Sequence, residues 1–214
     1  MSVSLFDGLK QHRDPRQGAC ALIAINERSR CKSRLSGALT PAARVELVRS
    51  MLSAVLGAAA GAQTLRHVMV VSPERDTVPA QIPVLADTGQ SLNAALAEAH
   101  RAVLDFGCRE VVILPADLPT ISAADIDALV RAGRLGGFAI APDAADAGTN
   151  ALCLATAQPF PFQFGVDSKR LHLEAAVHLG LRPQVVHLPG LEFDIDSPAD
   201  LTRLEEGQWV ARQA

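Results

Sequence analysis

The sequence predicts an α/β fold: one Rossmann-like domain whose mostly parallel mixed sheet is covered by helices on both faces. Short apolar segments alternate with longer segments whose apolar residues recur at helical spacing, almost from end to end. The short segments are apolar at every position, which is typical of parallel strands buried on both faces. With 214 residues, the chain can form one well-buried core and is short for two.

The cleanest predicted strand is Val111–Leu114, two valines followed by isoleucine and leucine. The other predicted strands are 19–25, 68–71, 82–85, 138–141, 150–155 and 184–188. Helices are predicted over 41–60, 91–106, 122–134, 168–179 and 196–206. Thr40-Pro41 favours a helix start, because threonine is a good N-cap and proline suits the first turn.

Residues 1–18 contain charged side chains and no apolar block, so they predict a loosely ordered leader and not a secretory signal. Residues 19–214 are then expected to form the domain. The net charge is −3 and no basic run exceeds two residues, which argues against a nucleic acid or a membrane as partner. The four cysteines lie far apart without a CxxC pair, which predicts reduced thiols and a cytoplasmic protein.

Asp117 follows the cleanest strand, in a turn bounded by Pro115 and Pro119. In open α/β sheets, ligands bind beyond the carboxyl ends of the strands, so a carboxylate there would project into the ligand crevice. An aspartate of this kind can equally serve as a turn or cap residue.

Asp194 and Asp196 flank Ile195. In an extended segment such residues point to the same side, and two carboxylates held together attract a hard cation such as Mg²⁺. Alternatively, Asp196 caps the helix predicted after Ser197-Pro198, but that would leave Asp194 without a role.

Two further polar segments could bind anions. Lys32 and Arg34 lie in a basic loop, residues 26–35, that contains no glycine and could equally be a solvated surface loop. Ser168 precedes a helical pattern and follows Gly165, so backbone N–H groups could approach a phosphate at this helix start. The alternative is an ordinary loop with an N-cap serine.

Six motifs occur together in one order: CKSRL, DTGQSLNAAL, LPADLP, GTNAL, FGVDS followed by a histidine, and DIDSPADL. In this order and spacing the chain resembles the 2-phospho-L-lactate guanylyltransferase family, over roughly residues 19–206. These enzymes act in the biosynthesis of the deazaflavin coenzyme F-420. The resemblance implies a single-domain nucleotidyltransferase fold of the nucleotide-diphospho-sugar transferase type.

The resemblance also implies site residues. The expected Mg²⁺ ligands are Asp117, Asp194 and Asp196. The expected binding residues for the acceptor acid are Thr149, Asn150, Gly165, Ser168 and Lys169. Catalytic and phosphate-binding roles are expected for Lys32 and Arg34, beside Asp117. The segment expected near the guanosine contains Asp87, Gly89, Leu92 and Asn93.

The implied reaction transfers GMP from GTP to the phosphate of a small phosphorylated hydroxy or enol acid and releases pyrophosphate. The product would pass to the next enzyme of the deazaflavin coenzyme pathway, and the sequence leaves open whether the chain forms a homodimer. Rival interpretations are another nucleotidyltransferase or a sugar-nucleotide glycosyltransferase of the same fold, and a nucleotide-binding module without turnover.

One loop departs from the family pattern. Where members commonly have G-x-G-S-F, this chain has Gly165, Val166, Asp167, Ser168 and Lys169. Asp167 would add negative charge beside the acceptor phosphate unless it turns outward, whereas Lys169 would offer a cation to the acid's carboxylate. The hypothesis is that this loop favours an acid other than phospholactate.

Overall fold

The computed structural model describes residues 18–25, 32–87 and 91–205. The leader prediction for residues 1–18 therefore falls almost wholly outside the described residues. Gly89 and residues 26–31 of the basic loop also lie outside them. Within the described part, the predicted α/β class is confirmed.

Seven strands form one sheet in the order β3-β2-β1-β4-β6-β5-β7. Their bounds are β1 Ala19–Ala24, β2 Leu65–Ser72, β3 Val84–Ala86, β4 Val111–Pro115, β5 Gly137–Pro142, β6 Thr149–Leu154 and β7 Arg182–Val185. β6 runs antiparallel to its neighbours β4 and β5, whereas the other pairings in the sheet are parallel. The sheet is therefore mixed, as predicted, with a single reversed strand near its centre.

The described helices largely match the predicted ones. They are α1 Pro41–Gly61, α2 Leu92–Phe106, α3 Ala123–Gly136, α4 Ser168–His178, α5 Pro189–Glu192 and α6 Pro198–Glu205, and a 3₁₀ turn spans Ser33–Leu35. The sequence did not predict α5 or the 3₁₀ turn, because such short elements show no helical period. The last predicted strand, 184–188, instead begins at Arg182 and ends at Val185. No helix among these residues is long and apolar enough to span a bilayer.

The sheet is buried on both faces. Along β1, Ala21 and Ile23 pack into a cluster with α1 and α3, whereas Leu22 and Ala24 pack into a second cluster with α2 and α4. Successive side chains of a strand point to opposite faces, so both sets must be apolar when helices cover both faces. This explains the unbroken apolar runs from which the fold class was predicted.

Side-chain caps fix where the first helices begin. The Thr40 hydroxyl accepts a hydrogen bond from the Ala43 N–H (3.2 Å) directly before Pro41, which confirms the predicted start of α1. Ser122 and Asp125 form a reciprocal capping box at the start of α3. These bonds satisfy N–H groups that the first helical turn leaves without partners.

Asp127 ties α3 to the loop that leads into β2. Its carboxylate accepts hydrogen bonds from the Gln63 N–H (3.2 Å), the Thr64 N–H (2.8 Å) and the Thr64 hydroxyl (2.7 Å). Burial alone would raise the pKa of Asp127, but the bonds from Thr64 and Gln63 hold that pKa below its usual value. Asp127 is therefore a structural carboxylate.

His100 is a buried titratable side chain in the core under α2. It is 1% exposed, its ring lies edge-on to Phe162 at a centroid distance of 5.6 Å, and its Nε2 has no hydrogen-bond partner among the described residues. Burial lowers the pKa of His100 to about 4. The imidazole is therefore neutral in the folded protein under ordinary conditions.

We predict that His100→Leu makes the protein less sensitive to acid. Between pH 6.5 and 4 the unfolded chain binds a proton at His100 that the folded protein does not, so the free energy of unfolding falls as pH falls through this window. A shift from 6.5 to about 4 corresponds to roughly 3 kcal/mol in full. Melting temperatures of the variant should therefore drop less than those of the wild type between pH 7.5 and 4.5.

Val103→Ala is the matched control, because Val103 is fully buried on the same helix and carries no proton. It should lower the melting temperature without changing its pH dependence. Equal slopes for His100→Leu and the wild type would contradict the prediction.

Candidate active site

A third apolar cluster joins the segment before α1 to the segment before α6. Leu35 and Ile195 are fully buried in it and Phe193 is 2% exposed, and all three pack near Val48 and Met51 of α1. The cluster therefore brings the end of the basic loop against the predicted metal-binding segment, although these segments are far apart in the sequence.

The same cluster sets the direction of two aspartates. Phe193 has extended backbone angles (φ −111°, ψ 111°), so successive residues from here point in opposite directions. Phe193 and Ile195 enter the apolar cluster, whereas Asp194 and Asp196 line a cavity. The predicted same-side arrangement of Asp194 and Asp196 is therefore present in the structure.

Asp117 reaches the same cavity from the end of β4. The Ala116 N–H donates to the Ala24 carbonyl oxygen (3.1 Å), which continues the pairing of β4 with β1 past the last strand residue. Leu118 on the other side of Asp117 is fully buried. Because both neighbours are fixed, the Asp117 carboxylate is held rigidly at the carboxyl end of the parallel strands.

Lys32 connects these carboxylates. Its Nζ lies 2.7 Å from Oδ2 of Asp117 and 3.1 Å from Oδ1 of Asp196, and the residue is only 3% exposed. Burial alone would lower the pKa of Lys32, but the charges and hydrogen bonds of Asp117 and Asp196 raise it. Lys32 is therefore a buried ammonium that stays charged. Arg34 is exposed, with Nη1 3.6 Å from Oδ2 of Asp196.

Asp194 carries the least well compensated negative charge of the three aspartates. Burial, together with the charges of Asp117 and Asp196, raises the pKa of Asp194 to about 6, and the Lys32 ammonium opposes this only in part. An additional cation in the cavity would relieve this repulsion.

The donor set suits a hard divalent cation, although the carboxylates are not gathered into a finished site. Across residues 18–25, 32–87 and 91–205, no group of three or more histidine, cysteine, aspartate or glutamate side chains is arranged to hold a metal ion. Instead, Asp117 and Asp196 share the Lys32 ammonium. Oxygen donors with excess negative charge are what Mg²⁺ prefers, so the predicted ligands fit this ion chemically and remain a prediction.

The opposite wall of the cavity comes from β6 and the start of α4. Because β6 is antiparallel to β4, its first residue, Thr149, lies at the end of the sheet where β1 and β4 also end. The cavity has a volume of about 470 Å³. The predicted acid-binding residues that line it are Thr149, Asn150, Gly165 and Ser168. The other lining residues are Ala24, Leu92, Leu96, Ile113, Pro115, Asp143, Gly148 and Phe164.

Asn150 offers an unused donor on this wall. It is 6% exposed, and its Nδ2 has no hydrogen-bond partner among the described residues. A buried amide without a partner is destabilising by about 1–3 kcal/mol, so such groups usually have a ligand or water as partner. An oxygen atom of a bound ligand would satisfy it.

Ser168 lines the cavity as the first residue of α4, and so it is not the N-cap residue that the alternative interpretation required. The N-cap position is occupied by Asp167, which has a left-handed backbone (φ 55°) and makes no side-chain capping bond. The exposed Asp167 carboxylate turns outward to 4.0 Å from Nη2 of Arg170. The Lys169 N–H donates to the Ala147 carbonyl oxygen (3.1 Å). Among the described residues, the N–H groups of Ser168 and Arg170 in the first helical turn remain available to an anion.

Several predicted residues lie elsewhere. Lys169 forms an ion pair with Asp146 and does not line the cavity. Asn93 uses its carboxamide on the backbone of Phe164, accepting from the N–H (2.8 Å) and donating to the carbonyl oxygen (3.1 Å). Asp87 follows β3 and donates its N–H to Ser72. Leu92 does line the cavity.

Sequence reasoning missed two residues at the site. His172 is the histidine that follows the FGVDS motif, which by itself indicates no role. It lies four residues after Ser168, so both residues are on one face of α4. Asp143 lines the cavity, and its Oδ1 accepts the Ala147 N–H (3.0 Å). A Cβ on Gly148 would come within 2.4 Å of Oδ2 of Asp143, so a larger residue at this position would displace the Asp143 carboxylate.

The α/β fold is shared with solved structures of the nucleotidyltransferase type. A solved structure from Desulfovibrio desulfuricans, provisionally named a nucleotide-diphospho-sugar transferase, superimposes with a TM-score of 0.71 at 18% identity. The superposition covers 91% of this chain and 97% of that one. At this identity the match shows the fold alone.

The family model for "Guanylyl transferase CofC like" proteins matches residues 19–205. A phosphoenolpyruvate guanylyltransferase from Rubrobacter xylanophilus is 42% identical over 190 residues, covering 86% of this chain and 92% of the relative. A 3-phospho-D-glycerate guanylyltransferase from Phenylobacterium zucineum is 33% identical, covering 91% and 93%. This chain belongs to the CofC-like guanylyl transferase family, which confirms the predicted family.

We predict that Lys32→Met raises the pKa of Asp194 further above about 6. The Lys32 charge holds that pKa down against Asp117 and Asp196, and methionine keeps the apolar stem while removing the charge. ¹³C NMR titration of the aspartate carboxyl carbons would measure the shift.

Arg134→Met is the control, because Arg134 pairs with Glu110 (2.7 Å) and lines no part of the cavity. An unchanged pKa of Asp194 in Lys32→Met would show that the ammonium does not balance this charge.

Proposed function

We propose that this protein transfers GMP from GTP to the phosphate of a small phosphorylated carboxylic acid and releases pyrophosphate. Membership of the CofC-like family supports the guanylyl transfer. The names of the relatives support acids such as phosphoenolpyruvate and 3-phospho-D-glycerate. The predicted acceptors also include 2-phospho-L-lactate.

The observation that carries the proposal is the division of one cavity into two chemically different walls. One wall carries Asp117, Asp194 and Asp196, with Lys32 between two of them. The other wall presents hydrogen-bond donors on β6 and at the start of α4: the hydroxyls of Thr149 and Ser168, the Asn150 amide and backbone N–H groups. This second wall suits an anionic acid, and the first suits the polyphosphate of a nucleotide together with a cation.

The reaction balances with the groups present. An oxygen of the acceptor phosphate attacks the α-phosphorus of GTP and forms a new P–O bond. The bond from the α-phosphorus to the oxygen bridging to the β-phosphorus breaks, and its electron pair leaves with pyrophosphate. Because the second pKa of a phosphomonoester is about 6, the attacking group is mostly dianionic at neutral pH. No general base is therefore required.

The main task of the protein is to bring two polyanions together. The buried Lys32 ammonium stays charged beside Asp117 and Asp196 and, with Arg34, provides positive charge for the GTP phosphates. Mg²⁺ held by Asp117, Asp194 and Asp196 would neutralise phosphate charge and polarise the α-phosphorus. On the acceptor side, fixed donors hold the acid and orient its phosphate for attack.

We further propose that the reaction belongs to the biosynthesis of coenzyme F-420 in the cytoplasm. The product, an acid joined to GMP through a diphosphate, is an activated compound, so the next enzyme of the deazaflavin pathway would displace GMP from it. Asp87, Gly89, Leu92 and Asn93 remain the proposed neighbours of the guanosine.

We predict that Asp117→Asn lowers kcat/KM by at least about 100-fold and raises the Mg²⁺ concentration needed for half-maximal rate. An amide cannot supply the negative charge expected at the metal, and losing one strong electrostatic contact in a transition state typically costs this much. Pyrophosphate release from GTP, with CTP, UTP and ATP in parallel, measures the activity and the base preference.

Asp127→Asn is the matched control, since Asp127 and Asp117 are both 8% exposed. This control should lose thermal stability through its Thr64 contacts and keep its turnover. Full Mg²⁺-dependent activity in Asp117→Asn would overturn the metal assignment.

Asp167 and Lys169 do not line the cavity, so they do not explain a preference among acids. Because relatives are named for phosphoenolpyruvate and 3-phospho-D-glycerate, we predict that one of these acids is preferred over 2-phospho-L-lactate by about tenfold or more in kcat/KM, the effect of about one well-placed contact. Purified protein with GTP and each acid in turn decides this, and a preference for phospholactate would contradict it. Because the Asp167 carboxylate faces Arg170 and not the cavity, Asp167→Gly should leave the order of the three acids unchanged.

A further inference from the structure

The buried ring of His172 lies behind the cavity wall that contains Thr149, Asn150, Gly165 and Ser168, called here the acid-binding wall. The residue is fully buried on α4 and lines no part of the cavity. Its Nδ1 is 3.0 Å from the Thr149 hydroxyl oxygen, and its Nε2 is 2.9 Å from the backbone nitrogen of Gln163. Both ring nitrogens are therefore engaged, one by the acid-binding wall and the other by the segment that leads to Gly165.

The contact with Gln163 fixes the tautomer of His172. A backbone N–H can only donate, so Nε2 must accept with its lone pair and carries no hydrogen. The ring is neutral at ordinary pH because burial lowers the pKa of His172 to about 4. The single ring hydrogen is therefore on Nδ1, and Nδ1–H donates to the Thr149 hydroxyl oxygen.

This bond in turn fixes the direction of the Thr149 hydroxyl. Its oxygen accepts from His172, so its own hydrogen must point away from the imidazole ring. Among the described residues, Thr149 makes no other side-chain hydrogen bond. The cavity is the space that remains, because Thr149 lines it.

The geometry points to His172 as a positioning residue that directs the Thr149 hydroxyl hydrogen toward the acceptor acid. A free hydroxyl can turn its hydrogen in several directions, whereas the bond from His172 leaves this hydrogen to be donated to the bound ligand, which suits an anion. This inference rests on the proposed function, since the anion it receives is the phosphorylated acid.

The ring also holds the acceptor segment in place. Its centroid lies 4.8 Å from that of Phe164 in an edge-on contact and 5.9 Å from that of Phe160. Loss of His172 could therefore disturb packing as well as the hydroxyl, and the test must separate these effects. Phenylalanine keeps the aromatic packing and removes both hydrogen bonds, whereas asparagine places an N–H near the position of Nδ1.

The test compares His172→Phe, His172→Asn, Thr149→Val and the double variant His172→Phe/Thr149→Val in steady-state kinetics. We expect His172→Phe to raise KM for the acid about tenfold, the loss of one oriented hydrogen bond to a charged group, with KM for GTP within about twofold of wild type. His172→Asn should restore most of the acid KM even where its melting temperature falls. In the Thr149→Val background, His172→Phe should add little, because the hydroxyl it orients is gone.

A second readout does not depend on activity. Long-range ¹H–¹⁵N spectra of protein labelled at its six histidines should show an Nδ1–H tautomer that disappears in His172→Phe and is thereby assigned to His172. His178, whose Nδ1 donates to the Glu174 carbonyl oxygen (2.7 Å), should give a second such signal that persists in this variant. An Nε2–H tautomer of His172 would overturn the inference. Equal rises in KM for both substrates, or fully additive effects in the double variant, would also overturn it.

Failure of the proposed function gives a different result. A wild-type protein that turns over none of the three acids with GTP overturns that function. Calorimetric titration of 3-phospho-D-glycerate, phosphoenolpyruvate and phospholactate then decides the inference. Binding that is about tenfold weaker in His172→Phe supports it, and no binding to the wild type overturns it.

Discussion

The buried Lys32 ammonium is the interaction on which the geometry of the site depends. It bonds Asp117, 85 residues away in the sequence, and Asp196, 164 residues away. Removing one partner of a buried ion pair typically destabilises a protein by about 3–5 kcal/mol, because the other charge is left without compensation. These three residues can therefore meet only when the end of β4, the basic loop and the segment before α6 are all in place.

The surrounding backbone positions these three residues. The pairing of β1 with β4 sets the position of Asp117, and the apolar cluster around Leu35 and Ile195 sets the positions of Lys32 and Asp196. Apolar packing thus fixes the backbone on either side of each charged residue. The ion pairs of Lys32 therefore hold side chains in position, whereas apolar packing folds the loops.

Much of this organisation could be predicted from the sequence, because it follows from local patterns. The run Val111–Leu114 indicates a strand buried on both faces, and the spacing of Asp194 and Asp196 places them on one side of an extended segment. Helix starts at Thr40 and Ser122 follow from side-chain capping. The motif order was specific enough to predict the family, which the comparison with known proteins confirms.

What could not be predicted depends on partners distant in the sequence. The direction of β6 is set by its pairing with β4 and β5, and nothing in its own six residues encodes it. The contacts of Asn93 with the Phe164 backbone join residues 71 positions apart. The role of His172 depends on which atom donates to it, and this is visible only once Gln163 lies against the ring. The sequence left a capping role open for Ser168, but the helix begins at Ser168 itself, one residue earlier than that role requires. The N-cap is Asp167 in a left-handed conformation that local sequence does not predict.

The reversal of β6 has a consequence for how two substrates of like charge can share one cavity. If all strands ran in the same direction, the end of β6 would lie beside the end of β4. Here the start of β6 lies there instead, next to the N-terminus of α4, whose N-cap residue makes no side-chain capping bond. This end of the sheet is therefore acidic and suited to a cation at β4, whereas at β6 it is rich in hydrogen-bond donors and suited to an anion. Under the proposed function, each polyanion would have its own half, and the attacking oxygen and the phosphorus would meet at the boundary between the halves.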